Sequence, residues 1–377
     1  MRRFVIVIGL ILVAISLIVY YIPMLRFSVT GQISGEPRVN GMPSGFWMYT
    51  LRQSDDPEQR IAAVNNLVEL GPKTDGAVEA IRKTLGDPEP RVRAASATAL
   101  SQMATADQVR DDLLNLLADA DGPVRAAAAT SLGQLRPTGQ TVVDSLHKQA
   151  KGDGFVQAKV AAIMALGLYG DAAVDSVPMM IDALLLPDAS TGSPHGAAVF
   201  ALSLICQKRI PMLTAAFTRP ESRVQSGILK ALASIGPAAG IAVPDVLKLT
   251  TASDPMIHLE AAQTLWVIER KPDLALSLAT ELLKVKQPER GKHINTRTKA
   301  MYLLGELGAA GTPAIPQLIG VMKEDTECQC RMYAAMSLGK IGRTPEILEV
   351  LEATVKVEKD PDVCWAINES LKAIRAK

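Results

Sequence analysis

Residues 87–103 read DPEPRVRAASATALSQM, and variants of this phrase return along the chain every 30 to 39 residues. Each copy has a Leu, a large side chain three positions after it and, in most copies, a small residue four positions before it. Offsets of three and four place these residues on one face of an α-helix. The phrase therefore predicts ten copies of one helix, with the repeated Leu at Leu67, Leu100, Leu132, Leu166, Leu202, Leu232, Leu265, Leu304, Leu338 and Leu371.

The phrase also carries signals for the two ends of its helix. An Asp-Pro pair precedes four copies, where Asp accepts the first amide hydrogens and Pro lacks an N–H that the first turn does not need. A Gly follows the last apolar position in five copies and suits the left-handed residue that closes a helix. A second apolar segment, such as 243–249 or 315–322, comes before the next Asp-Pro. Each copy is therefore predicted to be an antiparallel helix pair.

A pair of short helices cannot bury its apolar face alone, so the copies are expected to stack into one continuous core. The repeat length and the phrases at 87–95 and 236–247 resemble HEAT repeats, particularly the short bacterial HEAT-like repeats of the phycobilisome-lyase type. The resemblance covers residues 55–377 and implies an all-α fold, an α-solenoid (superhelix) of about ten HEAT-like helix pairs. It says little about function, because this fold serves many functions.

Composition agrees with stacked helices and excludes one class of partner. Hydrophobic residues make up 48% of the chain but aromatic residues only 4%, so the core is built from Ala, Leu, Ile, Val and Met. The net charge of +1 argues against a nucleic-acid binder, which needs a basic stripe. The four cysteines fit neither a disulfide framework nor a zinc site, and buried thiols are favoured.

The first 25 residues predict a transmembrane signal-anchor. Residues 4–25 carry no charge, and residues 4–22 alone would form a helix of about 28 Å, which matches the hydrocarbon core. A cleaved signal peptide is the alternative, but the apolar run is longer than usual and no A-x-A site follows. Arg2 and Arg3 favour a single-pass protein with a cytoplasmic N-terminus and an extracytoplasmic solenoid.

The remaining chain divides into a linker and the solenoid. Residues 26–44 are rich in Gly, Ser and Pro and predict a tether. Residues 46–51 run directly into Asp56 and Pro57, as second helices elsewhere run into the next Asp-Pro. The solenoid is therefore predicted to occupy 45–377 and to begin with a half-repeat that caps the first full one. The alternative is an aromatic segment on the membrane surface, which would leave the solenoid end uncovered.

No arrangement of residues predicts catalysis. None of the four histidines forms a His-Glu pair, although HEAT-like deoxyhypusine hydroxylases bind iron through such pairs. His195 and His258 stand seven residues before the repeated Leu, where other copies have a cation; we predict a polar rung that reaches acidic residues of the adjacent repeat, rather than a ligand or base. Trp266 and Trp365 are predicted to pack rather than stack a ligand. We expect no metal, cofactor or small-molecule substrate. The cations of that column are Arg60, Arg93, Arg125, Lys159, Arg297 and Arg331.

One long connection concentrates positive charge. The step before Leu304 is 39 residues, and its six basic residues face one acid, Glu289. Such a concentration should attract an acidic protein surface or anionic lipid headgroups in a salt-dependent way. A solvated loop without function is the alternative. The candidate partner-binding residues are Lys284, Lys286, Arg290, Lys292, Arg297 and Lys299.

These features together predict a membrane-anchored, noncatalytic scaffold for protein–protein interaction. The partner is expected to be a protein of unknown identity, and the membrane contact is expected through the N-terminal helix. The alternative comes from the resemblance to phycobilin lyases, in which HEAT-like subunits attach bilins to proteins. A bound chromophore in the visible spectrum of the purified protein would distinguish the two.

Overall fold

A computed structural model describes residues 35–187, 192–283 and 294–376, together with Met24, Arg26, Phe27 and Gln32. Apart from Met24, the predicted membrane anchor at 1–25 lies outside the described residues. The described chain is helical except for loops and one antiparallel hairpin of two short strands, β1 (Arg38–Val39) and β2 (Met42–Pro43). The expectation of an all-α array of helices is confirmed.

The chain forms two compact units, and the first extends from Met1 to Ile205. The second helices of its repeats are completed by 3-10 turns at Thr84–Gly86 and Gly170–Ser176. Its helices are α1 (Ser44–Gln53), α2 (Pro57–Leu70), α3 (Ala77–Lys83), α4 (Pro90–Met103), α5 (Ala106–Leu116), α6 (Gly122–Leu135), α7 (Gln140–Gly152), α8 (Val156–Tyr169), α9 (Val177–Ala183) and α10 (Pro194–Ile205).

The second unit extends from Cys206 to Lys377. Turns of 3-10 helix lie at Cys206–Lys208, Ala216–Thr218, Gly236–Ala242 and Gly308–Ala314. Its helices are α11 (Ile210–Ala215), α12 (Ser222–Ile235), α13 (Val243–Leu249), α14 (Pro255–Glu269), α15 (Asp273–Leu283), α16 (Ile294–Glu306), α17 (Ile315–Glu324), α18 (Cys328–Ile341), α19 (Pro345–Thr354) and α20 (Pro361–Arg375).

The even-numbered helices are the first helices of the ten repeats, and within each unit successive ones pack directly on each other. The repeated Leu is buried in every one of them, from Leu67 at 0% exposure to Leu371 at 6%. The small residues four positions earlier are also fully buried, as Ala63, Ser96 and Ala128 illustrate. The predicted packing stripe is confirmed.

Most helix ends follow the predicted signals. Asp56, Asp254 and Asp360 accept amide hydrogens in the first turns of α2, α14 and α20. The N-cap predicted at Asp87 is wrong by two residues: α4 begins at Pro90 after the N-cap residue Glu89. Asp87 instead accepts the Glu89 amide and turns its carboxylate towards the preceding repeat.

Two long helical stretches among the described residues are apolar enough to cross a membrane by length and composition alone: Val156–Ala183 and Ser222–Leu249. Each comprises a first helix, a 3-10 turn and the following second helix, with the break at Gly170 (φ 55°) or Gly236 (φ 70°). Their apolar windows are 56% and 44% buried. Packing of the repeats accounts for much of this apolar character.

The half-repeat cap, α1, packs on α2 and α3. The end of the predicted linker joins this packing, since Val39 is buried and Asn40 donates from Nδ2 to Asn66 Oδ1 over 2.7 Å. At the other end of the linker, the Phe27 ring lies 5.4 Å from that of Tyr49 in α1. These contacts hold Phe27 and the hairpin against the first helices, whereas residues 28–31, 33 and 34 of the predicted linker lie outside the described residues.

Candidate functional site

The polar column seven residues before the repeated Leu forms a ladder of ion pairs. Arg60 donates from Nε and Nη2 to both carboxylate oxygens of Asp87, each over 2.8 Å. Arg93 pairs in the same way with Asp119, and Arg125 with Asp153. In each pair the arginine belongs to one repeat and the carboxylate to the loop before the next first helix. The predicted rung to the adjacent repeat is confirmed for these three arginines.

Two arginines of this ladder also make a third hydrogen bond, to a backbone carbonyl oxygen. Nη1 of Arg93 also donates to the Asp87 carbonyl oxygen over 2.9 Å, and Arg125 repeats this bond to the Asp119 carbonyl. The Arg93 guanidinium holds the pKa of Asp119 below its ordinary value. The side chains of Arg93 and Asp119 are 16% and 11% exposed. These bidentate, nearly buried pairs fix one repeat to the next.

The ladder changes composition in the middle of the chain. Lys159, His195, Gln225 and His258 occupy its column in repeats four to seven. His195 is 2% exposed, and its Nδ1 lies 2.9 Å from the Leu184 carbonyl oxygen. Gln225 donates to the Arg219 carbonyl over 3.0 Å. His195 and Gln225 thus bond to backbone carbonyls, whereas the arginines of the ladder bond to carboxylates.

In the second unit the ladder resumes. Arg331 donates to Glu358 from Nε and Nη2 over 2.8 and 3.0 Å, and lowers the pKa of that carboxyl to about 2. Arg297 donates to Asp325.

The opposite, solvent-facing side of the first helices differs between repeats of the first unit. We call the positions two before and two after the repeated Leu the outer positions. In repeats one to three they are exposed and polar, and an open groove of about 490 Å³ lies between α2 and α4. The residues there are Asn65, Glu69, Thr98, Gln102, Thr130 and Gln134.

In repeats four and five the outer positions are large and apolar. Met164 and Leu168 on α8 are 42% and 40% exposed, and Phe200 and Leu204 on α10 are 41% and 37% exposed. A spacing of four residues keeps each pair on one face of its helix. These four side chains are hereafter called the apolar patch.

The two helices that carry the apolar patch approach each other closely. A Cβ added to Gly167 on α8 would lie 2.8 Å from Ala201 Cα on α10. Gly133 stands in the same relation to Ala165, between α6 and α8. Small residues thus bring neighbouring first helices together, so the side chains on either side of the Gly167–Ala201 contact form one continuous surface.

The apolar patch was not predicted from the sequence, although a signal for it is present. Its residues lie in helices that are rich in apolar residues, at positions that the repeat pattern did not consider. Alignment of the outer positions across repeats separates them, since the same positions are polar in the three preceding repeats.

Of the six predicted partner-binding residues, the structure describes two. Arg297 is 12% exposed and paired with Asp325 as a rung of the ladder. Lys299 is 46% exposed, and its Nζ donates to Glu260 Oε1 over 2.7 Å. Both engage neighbouring repeats of the second unit. The other four, Lys284, Lys286, Arg290 and Lys292, lie outside the described residues.

Two of the four cysteines, Cys206 and Cys330, are buried by packing. Burial raises the pKa of the Cys206 and Cys330 thiols to about 11, and the four cysteines are not in disulfides. No group of three or more potential metal ligands occurs in the part of the chain that the structure describes. Trp266 packs on the core of the second unit, but the packing predicted for Trp365 is wrong, because its side chain is 58% exposed.

Comparisons with known proteins agree with this geometry. A family model of HEAT repeats matches residues 46–133. Epoxyqueuosine reductases of Bacillus cereus and Bacillus anthracis are each 34% identical over 122 residues, which is 29% of this chain and 31% of each relative. The chain therefore matches about a third of the length of these curated relatives.

Solved structures extend the likeness to most of the chain. Kap95p in its RanGDP complex covers 88% of this chain with a TM-score of 0.58 at 12% identity, and 50% of that protein is covered. The karyopherin Kap121p bound to the SUMO protease Ulp1p covers 94% with a TM-score of 0.57 at 15% identity, and 44% of it is covered. Identities this low show the fold alone. The chain contains HEAT repeats and has the fold of a helical HEAT solenoid.

Proposed function

We propose that this chain is a membrane-anchored, noncatalytic scaffold that binds a protein partner through the apolar patch on α8 and α10. One observation carries the proposal: Met164, Leu168, Phe200 and Leu204 occupy outer positions that are polar in the three preceding repeats. Contiguous exposed apolar side chains of this size mark interaction surfaces. The patch therefore fits an apolar segment of a partner, such as one face of an amphipathic helix.

The energetics favour a compact contact. Complete burial of a Leu, Met or Phe side chain contributes about 1.5–3 kcal/mol. The four patch residues are between 37% and 42% exposed, and this exposed area can be buried when a partner binds. Each side chain therefore has about 1 kcal/mol available on binding. Phe200 is the largest of the four and the best candidate for the centre of the interface.

The membrane part of the proposal rests on the uncharged run at 4–25 and on the arginines that precede it. Alkaline carbonate extraction should leave the protein in the membrane pellet, and protease added to intact spheroplasts should digest the array. Recovery of the full-length chain in the soluble fraction would refute the anchor. Resistance of the array to the protease would reverse the orientation.

The partner contact is tested by site-specific photo-crosslinking in detergent-solubilised membranes. A benzophenone amino acid at position 200 should give a crosslinked protein, whereas the same group at Thr98, the equivalent outer position of α4, should not. The double variant Met164→Ser/Phe200→Ser should bind that protein at least about tenfold more weakly while it still unfolds in a cooperative transition above the assay temperature. Thr98→Ser is the matched control. Unchanged binding by the double variant would refute the patch.

The predicted basic segment offers a second surface in the same experiment. Reversal of Lys286, Arg290 and Lys292 to Glu should weaken capture of the same protein chiefly at low salt, because the contribution would be electrostatic steering. Unaltered capture at low ionic strength would exclude the segment.

A further inference from the structure

The described chain begins in an aromatic cluster on the cap. The Phe27 ring lies 5.4 Å from that of Tyr49 and 6.2 Å from that of Phe46, the latter edge to face. Trp47 adds a fourth ring, 5.0 Å from Phe46. Tyr49 and Phe46 are three residues apart on α1, so Phe27 covers one face of this helix. The cluster joins the first residues after the predicted membrane span to the first helix of the array.

The position of Phe27 sets the distance between the cap and the bilayer. Phe27 comes five residues after Ile22, where the 4–22 span reaches the length of the hydrocarbon core. Five residues span at most about 18 Å even when fully extended. The polar headgroup region is roughly 5–8 Å thick on each side of the core. The aromatic cluster is therefore tethered within reach of the headgroup level.

The start of the cap lies against Phe27. A Cβ on Gly45, at the start of α1, would lie 3.3 Å from the Phe27 ring, although 18 positions separate the two residues. The start of α1 is therefore held as near to the predicted membrane span as Phe27 is.

The chemistry of the cluster suits a lipid headgroup surface. Its four rings are partly exposed, and Trp47 Nε1 donates to the Val39 carbonyl over 3.3 Å. Partly buried rings with polar tips are the side chains that favour the interface between water and hydrocarbon. The exposed guanidinium groups of Arg26, Arg38 and Arg52 lie on the same terminal segment and match lipid phosphates.

We propose that Phe27 and α1 form a lipid-contacting end of the array, docked on the headgroups of the bilayer that its own anchor spans. This proposal rests on the membrane anchoring proposed above. It places the first repeat on the membrane and leaves the later repeats of the first unit, including the apolar patch, accessible to a partner.

The test uses tryptophan quenching by brominated lipids. Trp266→Phe/Trp365→Phe leaves Trp47 as the single tryptophan of the full-length protein, reconstituted in phosphatidylcholine nanodiscs brominated near the headgroup end of the acyl chains. We expect roughly twofold quenching of Trp47, because indole rings prefer the interface. Addition of Phe27→Ser should reduce the quenching while the protein stays in the nanodisc and keeps its helical circular dichroism.

A matched control places the tryptophan on the same unit but deeper in the stack. Thr130→Trp with Trp47→Phe puts it on α6, three helix layers from α1, or about 25–30 Å at the usual spacing. This variant should not be quenched; equal quenching of both variants would overturn an end-on contact. Incorporation without quenching of Trp47 would overturn the lipid contact alone. Failure to incorporate would overturn the anchor and the lipid contact together.

Discussion

Repeats one to three and repeats four and five of the first unit share one core but differ at their edges. Leu67, Leu100, Leu132, Leu166 and Leu202 are all fully buried. In the first three repeats the arginine ladder is closed and the outer positions are polar, whereas in the next two Lys159 and His195 replace arginine and the outer positions are apolar. The core of a repeat is thus independent of the chemistry at its junction and on its outer face. Substitutions in the buried core, at the ion pair of the junction and at the outer positions should therefore have separate effects.

The largest effect is expected for the shared core. Leu132→Ala should lower the free energy of unfolding by about 2–5 kcal/mol, because the side chain is fully buried and leaves a cavity. Leu168→Ala, at an outer position with 40% exposure, should change it by less than about 1 kcal/mol. Urea unfolding of both variants measures the difference. Equal losses would mean that the outer positions belong to the core after all.

The junction should rank second. Arg93→Met leaves the nearly buried Asp119 carboxylate without its partner and should destabilise by about 2–3 kcal/mol. Arg91→Met is the matched control, since the Arg91–Glu58 pair is 66% and 61% exposed and contributes at most about 1 kcal/mol. Comparable Tm changes in the two variants would show that a ladder pair contributes no more to stability than an exposed surface pair.

The close approach beneath the apolar patch should have a similar or smaller effect. Gly167→Ala should destabilise by about 1–3 kcal/mol, because the new methyl group meets the Ala201 backbone at 2.8 Å. Gly152→Ala, in the last turn of α7 with open space around it, should be neutral or stabilise by up to about 1 kcal/mol. A neutral Gly167→Ala would show that α8 and α10 separate easily.

The smallest effect concerns pH and extends the comparison to the second unit, where the ladder resumes. Arg331 holds the pKa of Glu358 at about 2, below the ordinary 4.5. A carboxyl with a lowered pKa in the folded state stabilises the protein above about pH 4.5, and this contribution is lost as the pH falls towards about 2.

The Tm difference between the wild-type protein and Arg331→Met should therefore shrink between those pH values. Thermal unfolding across that range measures it, and a difference that stays constant would contradict the proposed pairing.

Much of the fold was readable from the sequence because its determinants are local and repeated. The Leu column, the small residues before it and the closing glycines each act within one helix pair, so ten copies reinforce one interpretation. The partner of the Arg column was also predictable, since a residue at a fixed place in one repeat meets a fixed place in the next.

Side-chain exposure was harder to predict from the sequence, because it depends on which face of a helix a neighbouring helix covers. Met164 and Phe200 are apolar like the core, and only the packing of α8 on α6 and α10 leaves them outside. Trp365 was also predicted to pack, but its side chain is exposed. The contacts of Phe27 with α1 and of Asn40 with α2 join residues far apart in sequence, which composition does not report.

The arginine ladder also bears on how such an array lengthens during evolution. Each of its junctions needs only an arginine in one first helix and a carboxylate in the next loop, as in Arg93 with Asp119 and Arg125 with Asp153. A duplicated repeat brings both parts with it: its carboxylate receives the preceding arginine, and its arginine finds the following carboxylate. Gene duplication by whole repeats therefore creates a new junction already paired. The pairing also accommodates small changes in repeat length, since 27 positions separate Arg60 from Asp87 and 26 separate Arg93 from Asp119.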